Sequence, residues 1–210
     1  MRIVIAALAV GVLITSSTPG EAQRRKRDKN PTLYQSLDSP GAVRGVGAES
    51  QDIQSMTDQM MRDLLTVPTL MNASTPPRVI IDASYFRNES SEIIDKAIIT
   101  DKLRVSLARS SGGRVRFVGR EYVDAVQMER DLKAEGKVDV GTTGRTRAMA
   151  GADYRLVGRI GTRDAIDTRT GVKERYSVYT FELLDLEYGD LVWSNIYEFK
   201  KAAQDSVVYR

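Results

Sequence analysis

A chain without histidine or cysteine has few places to do chemistry. This sequence of 210 residues has neither. Zinc sites of the common kinds, a cysteine nucleophile and a Ser-His-Asp triad are therefore excluded, as is an imidazole base near neutral pH. Carboxylates remain. Asp164 and Asp167 flank a turn, and Glu187 and Asp190 occupy a hairpin. A glycosidase needs two carboxylates set apart across a cleft, whereas turn carboxylates ordinarily accept hydrogen bonds from their own backbone. The spacing predicts turn formers. The segment Gly141-Thr142-Thr143-Gly144-Arg145-Thr146-Arg147 has the glycine content of a phosphate loop. It lacks both the preceding strand and the glycine-lysine-hydroxyl order that such a loop requires, so an ordinary loop leading into a short helix through Met149 is expected. No catalytic residue, cofactor or metal is assigned, and the chain is expected not to be an enzyme.

Binding chemistry is better represented. Arg155, Arg159 and Arg163 recur at a spacing that puts them on one face of a strand, with Arg169 and Arg175 nearby. Such a basic stripe suits an acidic patch on a protein partner, and arginine is enriched at interfaces. The alternative is a solvated sheet face balanced by Asp153, Asp164, Asp167 and Glu174. There are nine Tyr against four Phe and one Trp. Tyr85, Tyr176, Tyr179, Tyr197 and Tyr209 fall in or near strands; exposed they support an interface, half-buried they are ordinary strand residues. The candidate partner-binding set is Arg155, Arg159, Arg163, Arg175, Tyr176 and Tyr179. A net charge of +3 with both signs dispersed offers little to a nucleic acid.

The elements that must position these residues follow from periodicity. Arg78 to Phe86 (RVIIDASYF) reads as a strand. Ser90 or Ser91 caps a helix with Glu92 in its first turn and Ile99, Leu103 and Leu107 on one face, ended by Gly112-Gly113. Val115 to Val118 is a short buried strand. A helix from about Arg120 to Glu135 turns Val123, Val126 and Leu132 inward, with Gly136 at its C′ position. After it, Tyr154, Leu156, Gly158 and Ile160 alternate with their neighbours, and Thr168 to Gly171 make a turn. Tyr176 to Leu186, a hairpin turn at Glu187 to Asp190, and Leu191 to Lys200 complete an antiparallel meander. The expected class is α/β, a single mixed β-sheet flanked by α-helices with a C-terminal antiparallel meander. Upstream, Ser50 caps a helix with Asp52 near its N-terminal dipole and Ile53, Met56, Met60 and Leu64 at helical spacing, widened by Met61 and Leu65. Pro68 ends it. This methionine-rich stripe is either a partner surface or packing for its own domain.

The N-terminus reads as an export signal. Met1-Arg2 precedes an apolar run from Ile3 to Thr15, followed by small residues and an expected cleavage after Ala22. The run is short of the roughly 20 apolar residues a membrane span needs. Arg24, Arg25, Lys26 and Arg27 then form a basic cluster, which is either attracted to anionic lipid head groups or part of a solvated tail. The organisation is thus a signal peptide at 1–22, a disordered linker at 23–48, a helix and proline-containing connector at 49–77, and one α/β domain at 78–210.

Several stretches are similar to the LpoB-type activators of penicillin-binding proteins. They are Val79 to Ser91 (VIIDASYFRNESS), Ile99 to Arg104 (ITDKLR), Phe117 to Glu121 (FVGRE), Ala150 to Ile160 (AGADYRLVGRI), Leu191 to Asn195 (LVWSN) and Lys201 to Arg210 (KAAQDSVVYR). The resemblance implies a fold like the N-terminal domain of TolB. It also implies a non-catalytic protein that binds a small domain of a bifunctional class A penicillin-binding protein and stimulates glycan polymerisation and cross-linking. No S-x-x-K motif occurs, so the chain is not itself a penicillin-binding protein. Members of the family are typically outer-membrane lipoproteins held through a cysteine at the cleavage site and a proline-rich linker. Here Gly20-Glu21-Ala22-Gln23 carries no cysteine, and residues 23–48 hold only two prolines. The expectation is a periplasmic monomer, with outer-membrane association implied by the resemblance alone. The alternative is a scaffold of an envelope assembly, or of a secretion or motility apparatus, using the same fold.

Overall fold

The computed structural model describes residues 34–37, 45–141, 144 and 148–204. The chain divides into two units, Met1–Tyr34 and Gln35–Arg210, and every helix and strand among the described residues belongs to the second. The expected signal peptide with its cleavage at Ala22, the basic cluster Arg24 to Arg27, the helix from Arg145 toward Met149 and the C-terminal Tyr209 fall wholly or partly outside the described residues.

The first helix, α1, spans Ser50–Leu64. Its cap is Glu49 rather than Ser50, because the Asp52 carboxylate turns back to accept the Glu49 backbone N–H at 2.8 Å. Met56, Met60 and Leu64 are buried along one face, so the methionine stripe packs on its own sheet. Pro68 does not end this helix. It sits at the first position of a short second helix, α2 (Pro68–Met71), where its missing N–H leaves no bond unmade. Strand β1 (Arg78–Asn88) leads to α3 (Lys96–Ser110), whose buried face is Ile99, Thr100, Leu103 and Leu107. Asp95 caps α3, accepting from the Ala97 N–H at 2.9 Å. Ser90 and Ser91 do not cap it: the Asn88 side-chain oxygen accepts from both the N–H and the hydroxyl of Ser90, and Thr162 Oγ1 accepts from the Ser91 N–H, which holds this segment out of the helix.

A two-residue strand, β2 (Arg116–Phe117), is followed by a 3-10 turn at Arg120–Tyr122 and by α4 (Val123–Ala134). Gly136, at φ 71°, closes α4 as expected: its N–H bonds the Lys133 carbonyl, and the Lys137 N–H bonds that of Leu132. The expected inward face is not there. No residue of α4 is buried, and Val126 is 43% exposed. Val123, Val126 and Leu132 do not join the core that α1 and α3 close.

Three long strands finish the chain: β3 (Tyr154–Ile166), β4 (Lys173–Asp185) and β5 (Leu191–Ala203). The sheet order is β2-β1-β3-β4-β5, with β1 parallel to both neighbours and the last three strands antiparallel. This is the α/β class with one mixed sheet and a C-terminal meander that the sequence predicts. Because side chains alternate along each strand, Val79, Ile81, Phe86, Leu156, Ile160, Tyr179, Phe181 and Leu183 all point to one face, and α1 and α3 bury it.

Two contacts fix how the pieces lock. On β1, four residues (Asp82 to Tyr85) lie between Ile81 and Phe86, the partners of Leu156 and Gly158 on β3, where a single residue intervenes. The resulting bulge drives the Phe86 ring across Gly158, and a Cβ there would lie 2.5 Å from Phe86 Cε1. On β5, the Trp193 indole N–H and the Asn195 amide both donate to Asp63 Oδ2 of α1, at 2.9 and 2.7 Å. Asp63→Ala orphans both half-buried donors, and a loss of about 1–3 kcal/mol is expected from leaving them unsatisfied. Trp193 is the sole tryptophan, so urea unfolding followed by its fluorescence reads the change directly.

Candidate partner-binding surface

Strand alternation assembles a second face, opposite α1 and α3, from the residues between those of the core. On β3 these are Arg155, Arg159 and Arg163; on β4 Tyr176, Thr180 and Glu182; on β5 Ser194, Ile196 and Glu198. Cross-strand pairing places Arg163 opposite Tyr176, and Arg159 opposite Thr180, which in turn faces Ile196. The expected grouping of Arg155, Arg159, Arg163 and Tyr176 on one face is what the register produces. Arg159, Arg163 and Tyr176 are exposed, and Ile196 is half-exposed at 50%. The Tyr176 hydroxyl donates to Glu198 Oε2 at 2.5 Å, and that carboxylate holds the phenol above its ordinary pKa.

Arg155 differs from the other two. Its guanidinium lies over the Tyr85 ring at 3.8 Å from the centroid, while its Nε is buried without a hydrogen-bond partner. The bulge carries Tyr85 under that side chain, so the pair combines a cation–π contact with shielding of the arginine stem. Arg87 is absent from the sequence-based set, yet it is exposed and directly opposite Arg159 across β1 and β3. Only the bulge register brings the two together. No local periodicity in β1 signals it.

Two residues of the expected set do not belong to this face. Arg175 and Tyr179 have the parity of Ser177, Phe181 and Leu183, so they point into the helix-covered side. Tyr179 is 2% exposed and stacked on Phe199 with centroids 6.0 Å apart; burial pushes its phenol pKa up. Arg175 is buried as the centre of an ionic network. Its Nε and Nη2 donate to the two oxygens of Asp164 at 2.6 and 2.7 Å, its Nη1 to Glu92, and its Nη2 also to Ser91 Oγ. The forked bonds of Arg175, with help from Lys173 at 3.2 Å, pull the Asp164 carboxyl down to about 2 from 3.8. Glu92 further accepts the Ala48 N–H at 3.1 Å, which ties the segment entering α1 to the far end of the sheet. Sequence spacing reads Glu92 as a helix-start residue and Asp164 as a turn former; both instead hold Arg175. Asp167 does accept from its own turn, from the Arg169 N–H and the Thr170 hydroxyl. In the last hairpin that task falls to Asp185, which accepts from the N–H groups of Glu187 and Tyr188.

Among the described residues, no group of Asp and Glu is arranged to hold a metal ion, and no helix is long and apolar enough to cross a membrane. What the geometry offers is a basic and aromatic sheet surface braced from behind by a rigid core.

The chain belongs to the family described as peptidoglycan-synthase activator LpoB, whose sequence profile matches residues 52–199. That span runs from the first turn of α1 to near the end of β5. Among solved structures, the chain is similar to the LpoB C-terminal domain from Salmonella enterica, at 17% identity over 73% of this chain and 99% of that one, with a TM-score of 0.40. It is similar to the LpoB C-terminal domain from Escherichia coli at 16% identity over 67% and 94%, with a TM-score of 0.39. A likeness to the PelC dodecamer from Paraburkholderia phytofirmans covers 61% of this chain and 78% of that one, at 17% identity and a TM-score of 0.31. No curated protein sequence matches.

Proposed function

We propose that this chain is a non-catalytic periplasmic regulator that binds a bifunctional class A penicillin-binding protein and stimulates its glycan polymerisation and cross-linking. The family membership over residues 52–199 carries the reading. The absence of His and Cys, which removes the commonest catalytic groups, agrees with it. Residues 1–22 direct export, and the following residues act as a spacer to an α/β domain whose core includes α1.

The contact is made by the sheet face opposite α1 and α3, through Arg159, Arg163 and Tyr176, with Arg87 extending the cationic row. Activation follows if this face binds the active conformation of the synthase more tightly than the inactive one, which shifts the population toward it. Arg175 and Tyr179 act from behind, by holding β4 flat against the core. Measuring the affinity for a purified class A synthase tests the surface. Arg159→Glu with Arg163→Glu should weaken binding by about tenfold, mostly through a slower on-rate, and leave thermal unfolding unchanged. Equal affinity of this variant and the parent removes the face from the interface. A chain that runs as a stable ring or filament in size exclusion would point to an envelope scaffold instead.

A further inference from the structure

A groove of about 930 Å³ opens where the sheet ends at β2 and α4 stands away from it. Its lining is mixed and predominantly basic, with Glu129 and Asp131 of α4 the two acidic members. Val118, Val123 and Val126 contribute apolar surface, and Arg78, Arg116 and Arg120 contribute guanidinium groups. None of these three guanidinium groups has an ion-pair or hydrogen-bond partner among the described residues, although the molecule pairs most of the charges near its core. Unpaired arginines grouped at one groove, beside uncovered valines, match an occupant that brings carboxylates and apolar side chains together.

The groove also exposes main chain. The Arg116 N–H bonds the Pro77 carbonyl and the Val118 N–H bonds the Val79 carbonyl, so both residues turn their backbone toward β1. By alternation, the N–H and C=O of Phe117 face the other way, along the free edge of the sheet. Phe117 lines the groove. An edge with one free donor and one free acceptor is a template for an added strand.

We infer that this groove is a docking site for an extended, acidic and apolar segment of a partner protein, which adds alongside β2 with its carboxylates on Arg78, Arg116 and Arg120. A polysaccharide chain is a poorer match, because the apolar lining is mostly valine and alanine and offers little stacking surface. The site is separate from the residues assigned to the synthase contact, so it stands or falls independently of that reading.

Titration of the isotopically labelled full chain with a short peptide of alternating Glu and Val tests it by NMR. The shifts should concentrate on the amides of Phe117, Val118 and the start of α4. Arg116→Glu with Arg120→Glu should weaken binding about tenfold without altering thermal unfolding. A peptide N-methylated at alternate positions should lose binding, because it can no longer pair with the edge. Equal binding by a peptide of alternating Lys and Val overturns the proposal, as does equal competition by an anionic polysaccharide. Undiminished affinity in the folded variant, or of the N-methylated peptide, overturns it too.

Discussion

Arg175→Met is expected to lower the free energy of unfolding by about 3–5 kcal/mol, the range seen when one partner of a buried ion pair is removed. Methionine fills much of the same volume, so cavity formation contributes little. The damage comes from what remains. Glu92 keeps its bond to the Ala48 N–H but loses its cation, and Asp164 retains only Lys173. Two carboxylates beside each other, one of them well buried, then have one lysine between them. Equilibrium denaturation should show the loss in the transition midpoint, with an unchanged denaturant slope.

The same network sets an acid limit with a defined sign. The carboxyl of Asp164 is depressed in the folded protein, to about 2 from 3.8. A depressed carboxyl contributes stability that is fully present above its unfolded value and is lost as the pH falls through its folded value. The parent protein should therefore lose this contribution progressively between about pH 5 and pH 2. In Arg175→Met the chief cause of the depression is gone, so its stability should vary less across that window. The difference between the two proteins should narrow as the pH approaches 2. A constant difference between them over the whole window would detach Asp164 from Arg175.

The second large effect is expected at Gly158. A methyl group placed there meets the edge of Phe86 at 2.5 Å, and Phe86 cannot retreat because its ring is set edge-on against Phe181, with centroids 5.7 Å apart. Gly158→Ala should cost about 1–3 kcal/mol by overpacking, and Gly158→Val more. Relief should come from the other side of the contact. Phe86→Leu is destabilising alone through lost burial, yet combined with Gly158→Ala it should cost less than the sum of the two. Strict additivity in that cycle would mean the bulge moves to accommodate the methyl, and that Phe86 does not determine why glycine stands at this position.

Much of this architecture is legible in the sequence because its signals are local. Alternation from Tyr154 to Ile160, the turn at Thr168 to Gly171 and the hairpin at Glu187 to Asp190 each depend on a few adjacent residues; all three strands form, but each is longer than expected, β3 running on to Ile166, β4 starting at Lys173 and β5 ending at Ala203. The same alternation groups Arg155, Arg159 and Arg163 correctly. The expected set mixes parities on β4: alternation alone separates Arg175 and Tyr179 from Tyr176, and the pairing with β3 decides which of the two sets faces the helices. Arg175 is a charged residue on a buried face, acceptable only because Glu92, from a loop far away in sequence, arrives to meet it. Spacing misreads Glu92 for the complementary reason: it fits a helix start, but Ser90 and Ser91 are bound to Asn88 and Thr162 and delay that start to Asp95. Periodicity misplaces Val126 because an amphipathic pattern promises a partner surface without saying that one is present. Arg87 escapes notice because its neighbour on β3 is fixed by the bulge.

The central claim is that this chain acts on a peptidoglycan synthase, and the rate of glycan-strand polymerisation from lipid-linked precursor by a purified class A enzyme measures that action most directly. Addition of the chain should raise the rate several-fold in a saturable manner, and Arg159→Glu with Arg163→Glu should need a correspondingly higher concentration for the same stimulation. A rate that stays at its basal value when binding of the chain to the enzyme is shown to be saturated would contradict the account.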